Sequence, residues 1–241
     1  MCGRYCLYSS VSDWGQMYFP RWHDDQHGNW QIERFNIAPS QNATVCLADR
    51  DTGTIKVRQM RWGFNVQNGS GKRSMLTNAR AETIRKKVAF ADAFRYRRCL
   101  IPADGFYEWK SFGSKKQPYY FSFAEQNVFA MAAIWEEPLG SQRDPNEDLR
   151  FCILTTSANE QVSGVHHRMP VILDPAYYQN WLCPRTTDGV SIHGLLQPLQ
   201  ARTLQRWPVS TLVNRVTSDS PACIQEIDSP ARLATRQGFL F

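Results

Sequence analysis

Four apolar, strand-like runs between residues 98 and 159 constrain the fold more than any other part of this chain. They are "RCLIPADGFYEWK", "PYYFSF", "VFAMAAIW" and "RFCILTTSAN". Each is short, rich in β-branched or aromatic residues and bounded by turn signals, which is the pattern of strands rather than helices. The first is broken by Asp104-Gly105, predicting a strand, a turn and a second strand. The next two flank "AEQN" and predict a hairpin. Earlier, "RFNIAPSQ", "ATVCLADRD" and "IKVRQMRWGF" read as further short strands and loops, and "QNGSGKRS" as a basic Gly/Ser loop.

Helices are few. "NARAETIRKKVAFADAFRYRRC" places Ile84, Val88, Ala91 and Phe94 at helical spacing and predicts a helix with Arg85, Lys86 and Lys87 on its other face. Pro170 keeps "GVHHRMPVIL" a loop feeding a strand. "DPAYYQNWL" opens with an Asp cap and a proline, predicting a short helix, and "RWPVSTLV" a late strand. Strands without regular βαβ alternation predict an α+β fold: a single domain with a mainly antiparallel, barrel-like β core flanked by a few helices. Its bounds are 1–233, followed by a tail over 234–241. At 241 residues with 42% hydrophobic content, the chain is long enough for one large core.

No run is long and apolar enough for a membrane span or a secretory segment. The seven cysteines are odd in number and widely spaced, with no C-x-x-C pair. This argues against structural zinc and for a reducing, cytoplasmic setting. Cys99 and Cys152 sit in apolar runs as buried thiols. The net charge of +6 suits a polyanionic partner as readily as it suits a merely basic surface. Nucleotide-hydrolysis, dinucleotide, metalloprotease and nucleophile-elbow motifs are absent.

The chain begins "MCGRYC". Removal of Met1 would leave Cys2 with a free amine of ordinary pKa about 8 beside a thiol of about 8.5. Such a pair condenses with an aldehyde to an imine, which the thiol closes to a thiazolidine. An internal cysteine cannot do this, because its nitrogen is an amide. Proton-transfer partners are then needed. Glu108, between Tyr107 and Trp109, is a carboxylate whose pKa apolar walls would raise. Its alternative is an outward strand glutamate paired with Lys110. His166 can hold an oxyanion or shuttle a proton. It competes with a water-satisfied loop histidine, and its neighbour His167 is expected to point elsewhere. Asn78 can anchor the Cys2 backbone or a sugar oxygen, or simply cap a helix. Arg4 and Arg80 can each fork onto phosphate, or be solvated surface residues.

In order along the chain, "MCGRY", "RFNIAPSQ", "RWGF", "TNARAET", "RCLIPADGFYEWK", "QPYYF", "AAIWE", "ILTTSAN", "VHHRMPVIL" and "PVSTLVN" resemble the SOS response-associated peptidase (SRAP) family over nearly the whole length. The resemblance implies recognition of abasic sites in single-stranded DNA and a thiazolidine crosslink through the processed cysteine. It implies Cys2 as nucleophile and Asn78 as the residue that positions it and the sugar. Glu108 becomes the acid/base that helps remove Met1 and promotes ring opening or crosslink reversal, and His166 the group that stabilises and protonates the sugar hydroxyl. Arg4, Arg80 and Arg168 become DNA-backbone contacts. The chain departs from many bacterial relatives at "NVQNGSGKRSML", where a tryptophan pair is missing. Base stacking is worth about 1–3 kcal/mol per base, so Lys72 and Arg73 are expected to compensate through salt-sensitive phosphate contacts. The expected protein is a cytoplasmic monomer with no cofactor, metal or membrane contact, nucleoid-associated when on DNA.

Gln237, Leu240 and Phe241 match Q-x-x-L-F, resembling the peptide by which bacterial replication proteins dock on the sliding clamp. The alternative is a terminal segment packed on its own domain. For the activity itself, two other readings stand beside the crosslinker: a thiol peptidase acting on proteins, and a non-covalent reader of single-stranded or modified DNA.

Overall fold

The amino-terminal strand lies inside a sheet rather than on its edge. In the computed structural model, which describes residues 2–20, 22–23, 33–67, 73–124, 128–137, 149–183, 185–186, 189–199 and 204–228, strand β1 (Tyr5–Leu7) is followed by helix α1 (Val11–Tyr18). Strands β2 (Trp22–His23), β3 (Arg34–Ile37), β4 (Asn42–Ala48), β5 (Ile55–Trp62), β6 (Phe64–Gln67), β7 (Arg73–Leu76) and β8 (Asn78–Arg80) come next. Helix α2 (Val88–Tyr96) leads to β9 (Arg98–Ala103), β10 (Gly105–Phe112), β11 (Lys115–Phe123), β12 (Phe129–Glu136) and β13 (Arg150–Ser157). After α3 (Glu160–Ser163) come β14 (Arg168–Pro170), β15 (Ile172–Leu173), α4 (Tyr178–Leu182), α5 (Gly189–Gly194) and β16 (Leu204–Pro208).

One sheet runs β16-β11-β10-β1-β3; the larger runs β14-β13-β12-β9-β4-β5-β2, with β8 also on β13 and β15 on β12. A parallel pairing of Arg61 with Arg150 and Trp62 with Phe151 joins β5 back to β13 and closes β13-β12-β9-β4-β5 into a ring. The expected α+β fold with a barrel-like, mainly antiparallel core is therefore present. Closure leaves no free edge between these strands.

The two sheets share the main core. Tyr5, Phe106 and Phe121 of the smaller sheet pack in the cluster that fills the ring, alongside Trp62, Leu100 and Ile153. Alternation sends the next residues to the opposite face. There Cys6, Tyr107 and Tyr120 form a second cluster with Val209, Val213 and Cys223 of the carboxy-terminal segment. Gly105 faces Cys6 in the register, and a Cβ there would stand 2.3 Å from the Tyr120 ring. That close approach requires glycine.

Three expectations are corrected. The runs around "AEQN" do not form a hairpin: β11 pairs with β10 and β16, whereas β12 pairs with β9, β13 and β15. Both strands are apolar and each buries itself in a different sheet. The long helix from residue 78 is also broken. Asn78–Arg80 pairs in parallel with Ile153–Thr155, a 3₁₀ turn covers Ala81–Thr83, and α2 begins only at Val88, which is 95% exposed. Phe90, Ala93 and Phe94 form its buried face. In the first third, read as strands and loops, Ser10 caps α1 by accepting from Asp13 N–H. By contrast, Asp174 caps the turn at Pro175–Tyr177 just before α4, as the sequence predicts.

Arg98 shows how the helices are fixed to the ring. It is 4% exposed, and its guanidinium donates to the carbonyls of Phe94 and Arg95 at the end of α2, and of Trp181, Cys183 and Thr186 at and beyond the end of α4. Those of Phe94, Arg95 and Trp181 are among the carbonyls a helix end leaves without partners. Arg98→Met is expected to destabilise the protein by roughly 3 kcal/mol or more, since each orphaned buried carbonyl costs about 1–3 kcal/mol. Urea unfolding checks this.

Candidate active site at the seam between the sheets

The four residues singled out for chemistry come from four separate segments and meet where the two sheets join. Cys2 leads into β1, which is hydrogen-bonded to both β10 and β3. Arg4 O accepts from Tyr107 N–H at 3.0 Å, so the backbone just behind Cys2 is already tied to β10. An amino terminus held this way does not fray. Asn78, on β8 of the larger sheet, donates from Nδ2 to Cys2 O at 2.9 Å and to Thr77 Oγ1 at 3.0 Å. It is a strand residue, not a helix cap. Glu108, on β10 of the smaller sheet, places Oε2 3.9 Å from Nδ1 of His166, which precedes β14 of the larger one. Both of these contacts cross the seam.

Glu108 is 2% exposed and does not face outward. Its desolvation has a different source from the one the sequence suggests. Tyr107 and Trp109 lie on the far face with the second cluster, while Glu108 shares the face of Phe106 toward the seam. Burial pushes its carboxyl up to about 7, against the opposing pull of the chain's amino-terminal charge. Cys2 is fully buried, and burial followed by the nearby Glu108 charge pushes its thiol well above the ordinary range. The thiol is therefore held protonated, with Sγ 4.0 Å from the carbonyl oxygen of Arg4.

His166 has its pKa lowered, first by burial and then by the amino-terminal charge. The backbone N–H of Arg168 donates to its Nδ1 at 3.0 Å. Arg168 O lies 3.2 Å from the same Nδ1, so both polar atoms of the Arg168 backbone face this ring nitrogen; when Nδ1 accepts, the neutral ring carries its proton on Nε2. The expectation that His167 points elsewhere is not met: the two rings stack with centroids 4.4 Å apart, because the segment before β14 is not extended. The site opens onto a cleft of about 500 Å³ lined by Glu108 and His166 together with Arg4, Trp109, Ser111, Lys116 and Asn214. Of this lining, Lys116 and Asn214 had no signal in the sequence beyond their residue type, and Trp109 was expected only as an apolar neighbour of Glu108. Trp109 Nε1 donates to Asn214 Oδ1 at 2.8 Å, which fixes the cleft wall.

The arginines differ in their placement. Arg80 is exposed and shares its strand face with Asn78. Arg4 donates to Asn36 Oδ1 at 2.7 Å, to Val213 O and to Asn214 O, so it braces the carboxy-terminal segment while lining the cleft. Arg168 is 8% exposed and forks onto Glu82. Lys72, the Arg73 side chain, Met1 and the tail residues Gln237, Leu240 and Phe241 lie outside the described residues. Among the described residues, no three His, Cys, Asp or Glu side chains are grouped to hold a metal ion, and no helix is long and apolar enough to cross a membrane.

The ringed α+β core and its seam define a protein that holds Cys2 beside Asn78 and near a buried carboxyl that faces an imidazole. The chain belongs to the SOS response associated peptidase (SRAP) family, whose profile matches residues 1–216. It is similar to Abasic site processing protein YoqW of Bacillus subtilis, 34% identical over 93% of this chain and 99% of that one. It is also similar to Abasic site processing protein HMCES of Xenopus tropicalis, 29% identical over 87% of this chain and 70% of that one. Among solved structures, a protein from Bacteroides thetaiotaomicron shares the fold with a TM-score of 0.79, at 24% identity over 94% of this chain and all of the other.

Proposed function

We propose that this protein senses abasic sites in single-stranded DNA and captures them covalently through Cys2 once Met1 has been removed, shielding the lesion. The observation that carries the reading is the convergence of Asn78, Glu108 and His166 on a cysteine at position 2. The relatives' names, which state abasic site processing, agree with it.

Hydrolysis of the Met1–Cys2 peptide bond consumes one water, releases methionine and frees the Cys2 amine. Glu108, ionised above about pH 7, serves as the base for that step. The amine then adds to the aldehyde of the ring-opened sugar and expels one water to give an imine. Nε2–H of His166 donates to the sugar hydroxyl. The Cys2 thiol adds across the C=N bond, sulfur to carbon and proton to nitrogen, and closes the five-membered ring. Electrons balance without any oxidant. At the imine stage the neighbouring sugar C–H is acidified, which opens a lyase-type β-elimination path. Asn78 holds the Cys2 carbonyl and thereby aims both reacting groups. Arg80, exposed beside Asn78, is the strongest of the phosphate contacts, and Arg4 meets the strand at the cleft.

Incubating the protein with an abasic oligonucleotide is expected to give a gel-stable adduct that is absent in Cys2→Ala. Salt-sensitive binding that survives Cys2→Ala with no adduct in the wild type would instead mark a non-covalent reader. Cleavage of unrelated peptides would mark a general peptidase. Affinity for the oligonucleotide is expected to fall with salt, with a slope of about −0.7 per phosphate contact on single strands. The clamp-docking tail remains a separate proposal, tested by deleting Gln237 to Phe241 and measuring clamp binding.

A further inference from the structure

We propose that Glu82 is a positioning residue for this site, acting through Arg168 to hold the strands that carry Asn78 and His166 in one register. The inference rests on the crosslinking reading above. Glu82 sits in the 3₁₀ turn directly after β8. Its two oxygens take Nη1 and Nη2 of Arg168 at 2.6 and 3.0 Å. The same Nη2 donates to Thr155 O at 2.6 Å and lies 3.3 Å from Thr155 Oγ1. One guanidinium therefore ties together the exit of β8, the middle of β13 and the start of β14.

The topology gives that knot its leverage. Strand β13 lies between β8 and β14: Ile153 faces Asn78 and Thr155 faces Arg80 on one side, while Thr155 faces Pro170 and Ser157 faces Arg168 on the other. Asn78 is thus carried by a strand on one side of β13, and His166 by the segment leading into the strand on the other. The Glu82–Arg168 fork spans that gap with side chains. Its effect reaches the imidazole directly, because the Arg168 backbone N–H is the donor to His166 Nδ1. Fixing Arg168 fixes the ring's orientation, since both its backbone N–H and its carbonyl face Nδ1. An exposed ion pair is worth little. Here the arginine is buried, the geometry is bidentate and a backbone carbonyl shares the guanidinium, so its removal should be felt as misalignment.

An open phosphate contact at Arg168 predicts the opposite behaviour, since DNA would then have to displace Glu82. Adduct formation should be measured on wild type, Glu82→Ala, Glu82→Gln and Glu82→Asp across a range of abasic oligonucleotide concentrations, with melting curves for each. At saturating DNA, Glu82→Ala is expected to slow the reaction about tenfold or more. Its half-saturating concentration should stay within about twofold. Glu82→Gln, which keeps the length and one acceptor for Arg168, should recover most of the rate, and Glu82→Asp, too short to span the gap, should not. An unchanged saturating rate in Glu82→Ala overturns the inference, as does a several-fold drop in half-saturating concentration at unchanged rate. Should Glu82→Ala melt below the assay temperature, the order of Glu82→Gln and Glu82→Asp decides, and aspartate outperforming glutamine overturns it. Absence of any wild-type adduct instead overturns the crosslinking reading itself, and this inference with it.

Discussion

Glu108→Gln is expected to yield a protein that is less active but more stable. Losing the acid/base group should slow adduct formation by about 10²- to 10⁴-fold. Stability should change the other way, with a pH dependence set by the same carboxyl. Burial raises its pKa from an ordinary 4.5 to about 7, so the native state binds this proton more tightly than the unfolded chain. The stability it contributes is full below about pH 4.5 and is lost as pH rises through about 7. Glutamine carries no such proton. Glu108→Gln should therefore match wild type near pH 4.5 and exceed it above pH 7 by roughly 3 kcal/mol, the free energy equivalent of that pKa difference. Urea unfolding at both pH values, with adduct gels alongside, measures the two effects. A substitution that destabilised the protein at pH 8 would show that Glu108 is held by structural bonding rather than poised by desolvation.

The second large effect is expected at Asn78. Its Nδ2 donates the hydrogen bond from the larger sheet to the carbonyl of Cys2, the residue whose amine and thiol must both reach one carbon in the proposed reaction. Asn78→Ala removes that anchor without touching the proton-transfer pair. Misplacement by about 1 Å can cost about 10²-fold, so adduct formation should slow on that order, while the pH profile set by Glu108 keeps its shape. Asn78→Asp keeps the size but offers Cys2 O no donor. It should be as slow as Asn78→Ala, and rate measurements at saturating DNA separate these cases from weakened binding.

The parts of this account visible in the sequence were the local ones. Strand runs such as "RFCILTTSAN" and the Asp174-Pro175 cap carry their own signals, and the family resemblance collected Cys2, Asn78, Glu108 and His166 from distant positions. What stayed hidden depended on pairing across distance. Nothing local says that β11 and β12 part into different sheets, or that "NAR" joins β13 instead of starting a helix. The raised carboxyl of Glu108 was anticipated, but its neighbours in sequence point to the other face and the seam supplies the burial. Arg4 and Arg168 looked like free cations in one dimension. In three dimensions each guanidinium has partners, and the carboxylate on Arg168 is what reveals a role for Glu82. Such pairings have no spacing rule, because they join a turn, a strand centre and a strand start brought together only by the ring.

The central claim is that a processed Cys2 captures an abasic aldehyde, and intact mass measures it most directly. The purified protein is predicted to weigh its sequence less Met1. After incubation with an abasic single-stranded oligonucleotide, it should gain the mass of that oligonucleotide less one water, and Cys2→Ala should gain nothing. Retention of Met1 in the active molecule, or an unchanged wild-type mass after incubation, would contradict the account.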